Sequence, residues 1–208
     1  MSIPPIVNPP TPFVCPFPTP FFPGQMVRVR GVAAPNGDRF DINFQTRDTT
    51  YDTDDIAFHI SVRLLQGYIA RNSFRDGDWE EEEDYGDLPI LPGQHFEALI
   101  LCEPTQFKVA INGRHYCDFK HRLAYSKISH FGIEGDVQIN LIAFEGGPSA
   151  PGYQQPGAGY GMPQAGMGMP GAPPSAPPPY AEAVQMPPMH QQMSMTQPYP
   201  PNYSYPPM

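Results

Sequence analysis

Short runs in which apolar and polar residues alternate fill the middle of the chain. From Ile56 to Leu64 every second residue is aliphatic or aromatic, while His59, Ser61 and Arg63 occupy positions between them. A period of two is typical of a β-strand with one buried face. Nine runs that alternate in this way or are rich in β-branched and aromatic residues lie at 26–32, 39–45, 56–65, 68–73, 95–102, 107–112, 115–119, 128–133 and 137–144.

The segments between these runs carry turn signals rather than helices. Asn36-Gly37, Asp76-Gly77 and Asn112-Gly113 are dipeptides that favour tight hairpin turns. No stretch between residues 26 and 144 shows a helical apolar stripe ten residues long. Many short strands without an alternating strand–helix rhythm predict an all-β protein, an antiparallel sandwich or barrel.

Two proline-rich segments flank this body. Residues 1–11 are too rich in proline to form a helix or a central strand, which predicts an extended leader. Residues 148–208 hold 17 of the 30 prolines and 8 of the 10 methionines, but no leucine, isoleucine or phenylalanine. Such a segment buries too little apolar surface to offset the entropy of ordering. The predicted organisation is a leader at 1–11, a β-domain at 12–147 and a disordered tail at 148–208 with polyproline II character.

The charge distribution excludes several partner classes. The net charge is −9, of which about −8 lies in the first 147 residues, so nucleic acid and anionic membranes are poor partners. No apolar run approaches the roughly 18 residues needed to span a bilayer, and the N-terminus lacks the pattern of a secretory signal. We expect a cytoplasmic protein, with unconventional secretion as its route to the extracellular space.

The three cysteines point to the same compartment. Cys15, Cys102 and Cys117 are odd in number and lack the spacing of a metal site. We therefore expect free thiols and no metal or cofactor.

A cluster of polar and aromatic residues is the strongest candidate for a binding site. His59, Ser61 and Arg63 form a row of donors and acceptors about 7 Å apart on one strand face. The next strand carries Asn72, and the only tryptophan, Trp79, follows and is itself followed by five consecutive acids. Such a row can read the hydroxyls of a sugar, and an indole can stack on its C–H face. A solvated strand face, a packed tryptophan and a solvated acidic loop are the alternative interpretations.

In this order the residues resemble the galectin carbohydrate-recognition domain. The family pattern is His-x-Asn-x-Arg on one strand, Asn on the next, then Trp-x-x-Glu-x-Arg. It is matched here by His59, Ser61, Arg63, Asn72, Trp79, Glu82 and Asp84, and the segments PFFPGQMVRVRGV, LPGQHFEALILC and GIEGDVQINLI add further similarity. The resemblance covers about residues 12–147. It implies a two-sheet jelly-roll sandwich that binds β-galactosides of glycoproteins or glycolipids.

Two positions depart from the family pattern. Ser61 replaces the first Asn, and a hydroxyl is shorter than an amide, so a water is expected to bridge the gap. Asp84 replaces the second Arg, and a carboxylate cannot replace that donor. The resemblance therefore implies a site of His59, Ser61, Arg63, Asn72, Trp79 and Glu82, with galactoside binding reduced, altered in preference or lost.

The sequence does not predict an enzyme. Glycosidases need two carboxyl groups on either side of the scissile bond, and consecutive acids at 80–84 would not straddle a substrate. No nucleophile-elbow, zinc-protease or phosphate-loop motif is present. No catalytic residue is predicted.

The tail contains short sequence motifs that resemble known ligands of binding domains. Pro148 to Pro151 and Pro174 to Pro177 both read PSAP, and Pro177-Pro178-Pro179-Tyr180 reads PPxY. These resemble the motifs bound by the ubiquitin-variant domain of ESCRT-I and by WW domains, which accept extended proline-rich segments in aromatic grooves. The alternative interpretations are low-complexity composition and a tail for homo-oligomerisation through tyrosine and methionine contacts.

Overall fold

The computed structural model describes residues 3–48, 54–146 and 180–184. Twelve strands account for most of these residues: β1 Ile6–Val7, β2 Phe13–Pro16, β3 Met26–Ala33, β4 Arg39–Gln45, β5 Ile56–Arg63, β6 Tyr68–Arg75, β7 Asp78–Trp79, β8 His95–Cys102, β9 Gln106–Ile111, β10 Arg114–Lys120, β11 His130–Gly135 and β12 Val137–Glu145. A 3-10 turn covers Tyr125–Lys127, and one helical turn, α1, covers Tyr180–Ala183.

The strands form two six-stranded antiparallel sheets, which confirms the predicted all-β sandwich. Sheet I has the order β1-β12-β3-β8-β9-β10, and sheet II has the order β2-β11-β4-β5-β6-β7. All nine predicted strands are present, with ends that differ by a few residues. The pattern missed β1, β2 and β7, which are short edge or hairpin strands of two to four residues.

The proline-rich N-terminus contributes an edge strand rather than only a leader. Ile6 and Val7 pair with Ile142 and Leu141 of β12. Because only one side of an edge strand is hydrogen-bonded, prolines can flank it without breaking a ladder. The described part of the expected leader, residues 3–11, is thus tied to sheet I through Ile6 and Val7.

Aromatic side chains fill the space between the sheets. Phe58 of sheet II stacks on Phe107 and Phe119 of sheet I, with ring centroids 4.7 and 4.5 Å apart. All three rings are fully buried. This packing fixes the core-facing side of β5, so the residues on its opposite face are held rigidly.

The predicted tail lies mostly outside the described residues. Pro148, Pro151, Pro174, Pro177 and Pro178 are outside them, and the expected disorder of the tail remains a prediction there. Tyr180–Val184 is described, and its helical turn differs from the polyproline II conformation expected of the tail. Neither of the two described helical segments is long and apolar enough to cross a membrane.

Candidate functional site

The polar row of β5 occupies the outer face of sheet II. Phe58, Ile60 and Val62 are in the core, so His59, Ser61 and Arg63 face away from it. Ladder pairing places Asn43 of β4 opposite His59, and Asp41 opposite Ser61. Because residues paired across strands share a face, β4 adds a second polar row beside the first. The alternation of polar and apolar residues in β4 could have predicted this second polar row, although it was not used in the sequence analysis.

Hairpin geometry brings Asn72 and Trp79 to the same face. Asn72 pairs with His59, next to a β-bulge between Ile56 and His59. Asp76 and Gly77 both have positive φ, 54° and 91°, as a two-residue hairpin of type I′ requires. That turn sets Trp79 opposite Phe74, two residues beyond Asn72.

The indole of Trp79 lies at the edge of the polar row. Its ring centroid is 4.7 Å from that of His59 and 5.2 Å from that of Phe74. The residue is nevertheless 51% exposed. Trp79 is therefore supported by packing and still offers free surface to a ligand.

The acidic run continues alongside β6. The Glu80 N–H donates to the Ser73 carbonyl at 2.9 Å, and Arg71 and Glu83 exchange two backbone hydrogen bonds of 2.8 and 2.9 Å. Between these two contacts the acidic run advances three residues, from Glu80 to Glu83, while β6 covers only two, from Ser73 to Arg71. The acidic run therefore contains a bulge. In this arrangement Arg63 Nη2 donates to Glu82 Oε2 at 2.7 Å, and the expected Arg63–Glu82 pair is formed.

Three polar atoms of this face are buried without a hydrogen-bond partner among the described residues. They are Asp41 Oδ1, Ser61 Oγ and Arg63 Nε. The other two nitrogens of Arg63 bond the Tyr68 hydroxyl and Glu82. All three atoms are covered by neighbouring side chains, so they belong to the floor of the face rather than to its exposed surface.

Ser61 forms the floor of the face rather than an exposed contact. The residue is 1% exposed. Its hydroxyl oxygen is covered in this conformation, which differs from the bridging role through water that the sequence analysis expected. Side chains would have to move before a ligand or water could reach it.

Burial makes His59 a neutral hydrogen-bonding group. The pKa of His59 is lowered to about 4, chiefly because burial removes the ring from water; the negative charge of Asp41 opposes this shift, and the positive charges of Arg39 and Arg63 add to it. Nδ1 lies 2.6 Å from Asn43 Oδ1. With Nδ1–H donating to that oxygen, Nε2 keeps its lone pair and can accept a hydrogen bond from a ligand hydroxyl.

The amide of Asn72 is oriented by three contacts. Its Nδ2 donates to the Glu80 carbonyl at 2.9 Å, while its Oδ1 accepts from the Ser73 N–H at 2.8 Å and from Arg122 Nη1 at 3.1 Å. The amide has a second N–H, which suits a sugar hydroxyl. These contacts hold Asn72 before any ligand arrives.

Two arginines that the sequence analysis did not single out hold the acidic run in place. Arg122, from the loop after β10, donates to the Glu81 carbonyl at 2.6 Å and to Glu83 Oε1 at 2.8 Å. Arg71, only 1% exposed, donates to the Tyr85 carbonyl at 2.8 Å and lies over the Tyr85 ring at 4.3 Å. Arg71 pairs with Ile60, so it occupies a core-facing position of β6. The sequence signal that could have identified Arg71 is a charged residue at a core-facing position of a strand.

The structure thus brings five of the six predicted site residues together around one groove: His59, Arg63, Asn72, Trp79 and Glu82, with Ser61 beneath them. Tyr180, the one described member of the tail motifs, lies on sheet I instead. Within the described ranges, no group of His, Cys, Asp and Glu side chains could hold a metal ion. The groove therefore offers hydrogen bonds and an aromatic face.

Comparison with known proteins gives a consistent family. Residues 12–144 match the family model of the galactoside-binding lectins. The chain is 34% identical over 126 residues to a 32 kDa beta-galactoside-binding lectin of Caenorhabditis elegans, which covers 61% of this chain and 45% of the relative. It is 35% identical over 144 residues to human galectin-4, which covers 68% of this chain and 43% of galectin-4. The chain thus spans less than half the length of these relatives.

The fold leads to the same family. The crystal structure of Caenorhabditis elegans galectin LEC-6 aligns with a TM-score of 0.62 and 25% identity, over 68% of this chain and 95% of that one. Galectins are lectins, which bind sugars without transforming them, so the prediction of a non-enzymatic protein is confirmed with the family. The sequence match and the shared sandwich together show that this chain belongs to the galectins, the galactoside-binding lectin family.

Proposed function

We propose that this chain binds β-galactoside-containing glycans of glycoproteins or glycolipids, without catalysis, in the groove on sheet II. The observation that carries the proposal is the meeting of the His59, Asn72 and ion-paired Arg63 side chains beside the half-exposed Trp79. A sugar presents hydroxyls and an apolar C–H face together, and it complements such a surface.

Each residue has a role in this proposal. His59 accepts a hydroxyl hydrogen through Nε2, while Arg63 and Asn72 donate N–H groups to hydroxyl oxygens. Glu82 holds the Arg63 guanidinium, with 2.7 Å between Nη2 and Oε2, and its other oxygen can accept from a hydroxyl. Trp79 supplies the stacking surface.

A second depression lies beside the proposed sugar site. A depression of about 210 Å³ lies beside Asn43 and is lined by Val14, Gly132 and Glu134, among others. Asn43 contacts His59, so the depression lies beside the polar row. We infer that residues of a longer glycan extend over β4 and β11.

The two departures from the family pattern are expected to weaken binding. The Ser61 hydroxyl is covered, and Asp84 supplies a carboxylate where the family pattern has a guanidinium. Both changes remove a donor that would act directly on the sugar. We therefore expect a galactoside affinity below that of a site with the complete pattern.

A second candidate function is recruitment or self-association through the tail. It is favoured by Ser61 and Asp84, which depart from the family pattern, and by the PSAP and PPxY motifs of the tail. Of the residues in these motifs, the structure describes Tyr180 alone. The full chain can be titrated with an ESCRT-I ubiquitin-variant domain and a WW domain. Loss of binding in variants with Pro148, Pro174 or Tyr180 replaced by alanine would support recruitment.

The cysteines support the expected compartment. Cys15, Cys102 and Cys117 are all free thiols, and burial raises the pKa of Cys102 and of Cys117 to about 12. Free thiols favour a reducing, cytoplasmic environment. We infer that galactosides are met after unconventional secretion or at damaged vesicles.

A glycan array with matched arginine variants tests the sugar proposal. Arg63→Lys keeps the charge but loses Nε and the forked geometry, so galactoside signals should fall at least tenfold. Arg30→Lys is the control, because Arg30 is also a partly exposed, ion-paired arginine, 2.6 Å from Glu97, but on sheet I. A galactoside signal that survives Arg63→Lys at full strength would refute the site.

A further inference from the structure

The outer face of sheet I carries an apolar patch on which Tyr180 and Val184 pack. Met26, Leu99, Leu101 and Ala110 form this outer patch, and they are 5%, 1%, 4% and 0% exposed. Because Ala98 and Ile100 point into the core, Leu99 and Leu101 point away from it. Outward-facing leucines are buried only when something packs on them, and here Tyr180 and Val184 do so.

Tyr180 makes both apolar and polar contacts on this patch. Its ring is 8% exposed, and its hydroxyl lies 2.9 Å from His115 Nδ1 of β10. The two rings meet edge to face, with centroids 6.5 Å apart and planes at 79°. A buried tyrosine with its hydroxyl bonded and its ring among leucines is a typical interface anchor.

Ion pairs surround the outer patch. Arg28 lies 3.0 Å from Glu97 and 2.7 Å from Glu145, and Lys108 lies 3.1 Å from Glu103. An apolar centre with a charged rim has the organisation of a recognition surface.

The geometry of α1 suits this surface. Val184 N–H donates to the Tyr180 carbonyl at 3.1 Å, so the two side chains, four residues apart, lie on one side of the turn. Ala181 and Glu182 face solvent. Residues 147–179 between the domain and α1 are many more than the chain needs to reach any point of the surface.

We propose that the outer patch is an intramolecular docking site for Tyr180–Val184 and that docking masks the PPxY motif. Tyr180 is the tyrosine of Pro177-Pro178-Pro179-Tyr180. A WW domain reads such a segment in an aromatic groove, and the Tyr180 ring cannot occupy that groove and the outer patch together. Tethering gives the segment a millimolar effective concentration, so even weak docking lowers the available fraction of the motif. This site is separate from the sugar groove on sheet II.

Docking is tested by amide NMR of the full chain. Tyr180→Ala should shift the amide signals of Leu99, Leu101, Ala110 and His115, whereas the tail control Tyr203→Ala should leave them in place. The shifts should not depend on protein concentration. Absence of these shifts, or a concentration dependence that makes the contact intermolecular, would overturn the proposal.

Masking is tested with a WW domain selected for binding to a peptide of residues 174–184. The full chain should bind this domain about two- to tenfold more weakly than the peptide does. His115→Ala and Leu101→Lys should restore affinity towards that of the peptide. Lys120→Ala, an exposed position on the same strand as His115, should not. Equal affinity of the unmodified full chain and the peptide would overturn masking, even if docking is observed.

Discussion

Replacing Trp79 with alanine removes the aromatic surface of the groove and little else. The residue is 51% exposed, and its buried part packs on His59 and Phe74. It lies on β7, a two-residue strand at the edge of sheet II. The core beneath β5 does not depend on it, so the domain should stay folded while sugar binding weakens.

The expected loss follows from the surface that the indole offers. A tryptophan buries at most about 250 Å², so a half-exposed one leaves on the order of 120 Å². A sugar that stacks on one ring face covers about half of this, roughly 60 Å². At about 25 cal/mol per Å², the contact contributes about 1.5 kcal/mol, or roughly tenfold in affinity. Loss of support for the His59 ring adds to this, for a total of about 1.5 to 3 kcal/mol.

The assay uses the fact that Trp79 is the only tryptophan. Lactose or N-acetyllactosamine should change the intrinsic fluorescence of the unmodified protein, and calorimetry gives the affinity of both proteins. Trp79→Phe should retain part of the binding, because a smaller ring remains. Val7→Ala is the control, an exposed apolar residue on sheet I. If Trp79→Ala binds within twofold of the unmodified protein and melts at the same temperature, the stacking role is refuted.

Three further predictions concern residues around the groove. Ser61→Asn restores the longer amide of the family pattern and should raise galactoside affinity about two- to tenfold, the contribution of one hydrogen bond, as measured by calorimetry. His59 has its pKa lowered to about 4, so between pH 6.5 and 4 the unfolded chain binds a proton that the folded chain does not, and the free energy of unfolding decreases as pH falls through this window. His59→Gln should reduce that decrease by up to about 3 kcal/mol in urea titrations, and identical pH profiles would contradict this account. Arg71→Met removes the hydrogen bonds to the Ile69 and Tyr85 carbonyls, at 2.7 and 2.8 Å. It should lower the free energy of unfolding by about 2 kcal/mol and weaken sugar binding. An unchanged free energy of unfolding would show that Arg71 does not anchor the acidic run.

Much of the groove could be predicted from strand parity. Once β5 is recognised, a period of two places His59, Ser61 and Arg63 on the face opposite Phe58, and the hairpin dipeptide Asp76-Gly77 turns the chain back beside β6. These are local effects of backbone geometry and turn chemistry. They depend on residues that are close together in the chain.

The supports of the groove could not be predicted in this way. Arg122 contacts Asn72, 50 residues earlier in the chain, and Arg71 lies in the core, where charged residues are rare. Which distant side chain meets which carbonyl depends on how the two sheets close over each other. No local pattern carries that information.

The sequence alone determined the all-β architecture, the family resemblance and the membership of the polar row, because alternation, turn residues and motif order are properties of the linear chain. Only the tertiary structure decided that the Ser61 hydroxyl is covered and that Tyr180 lies on the outer patch rather than in solvent. Both outcomes depend on burial, which is set by side chains brought together across strands and sheets.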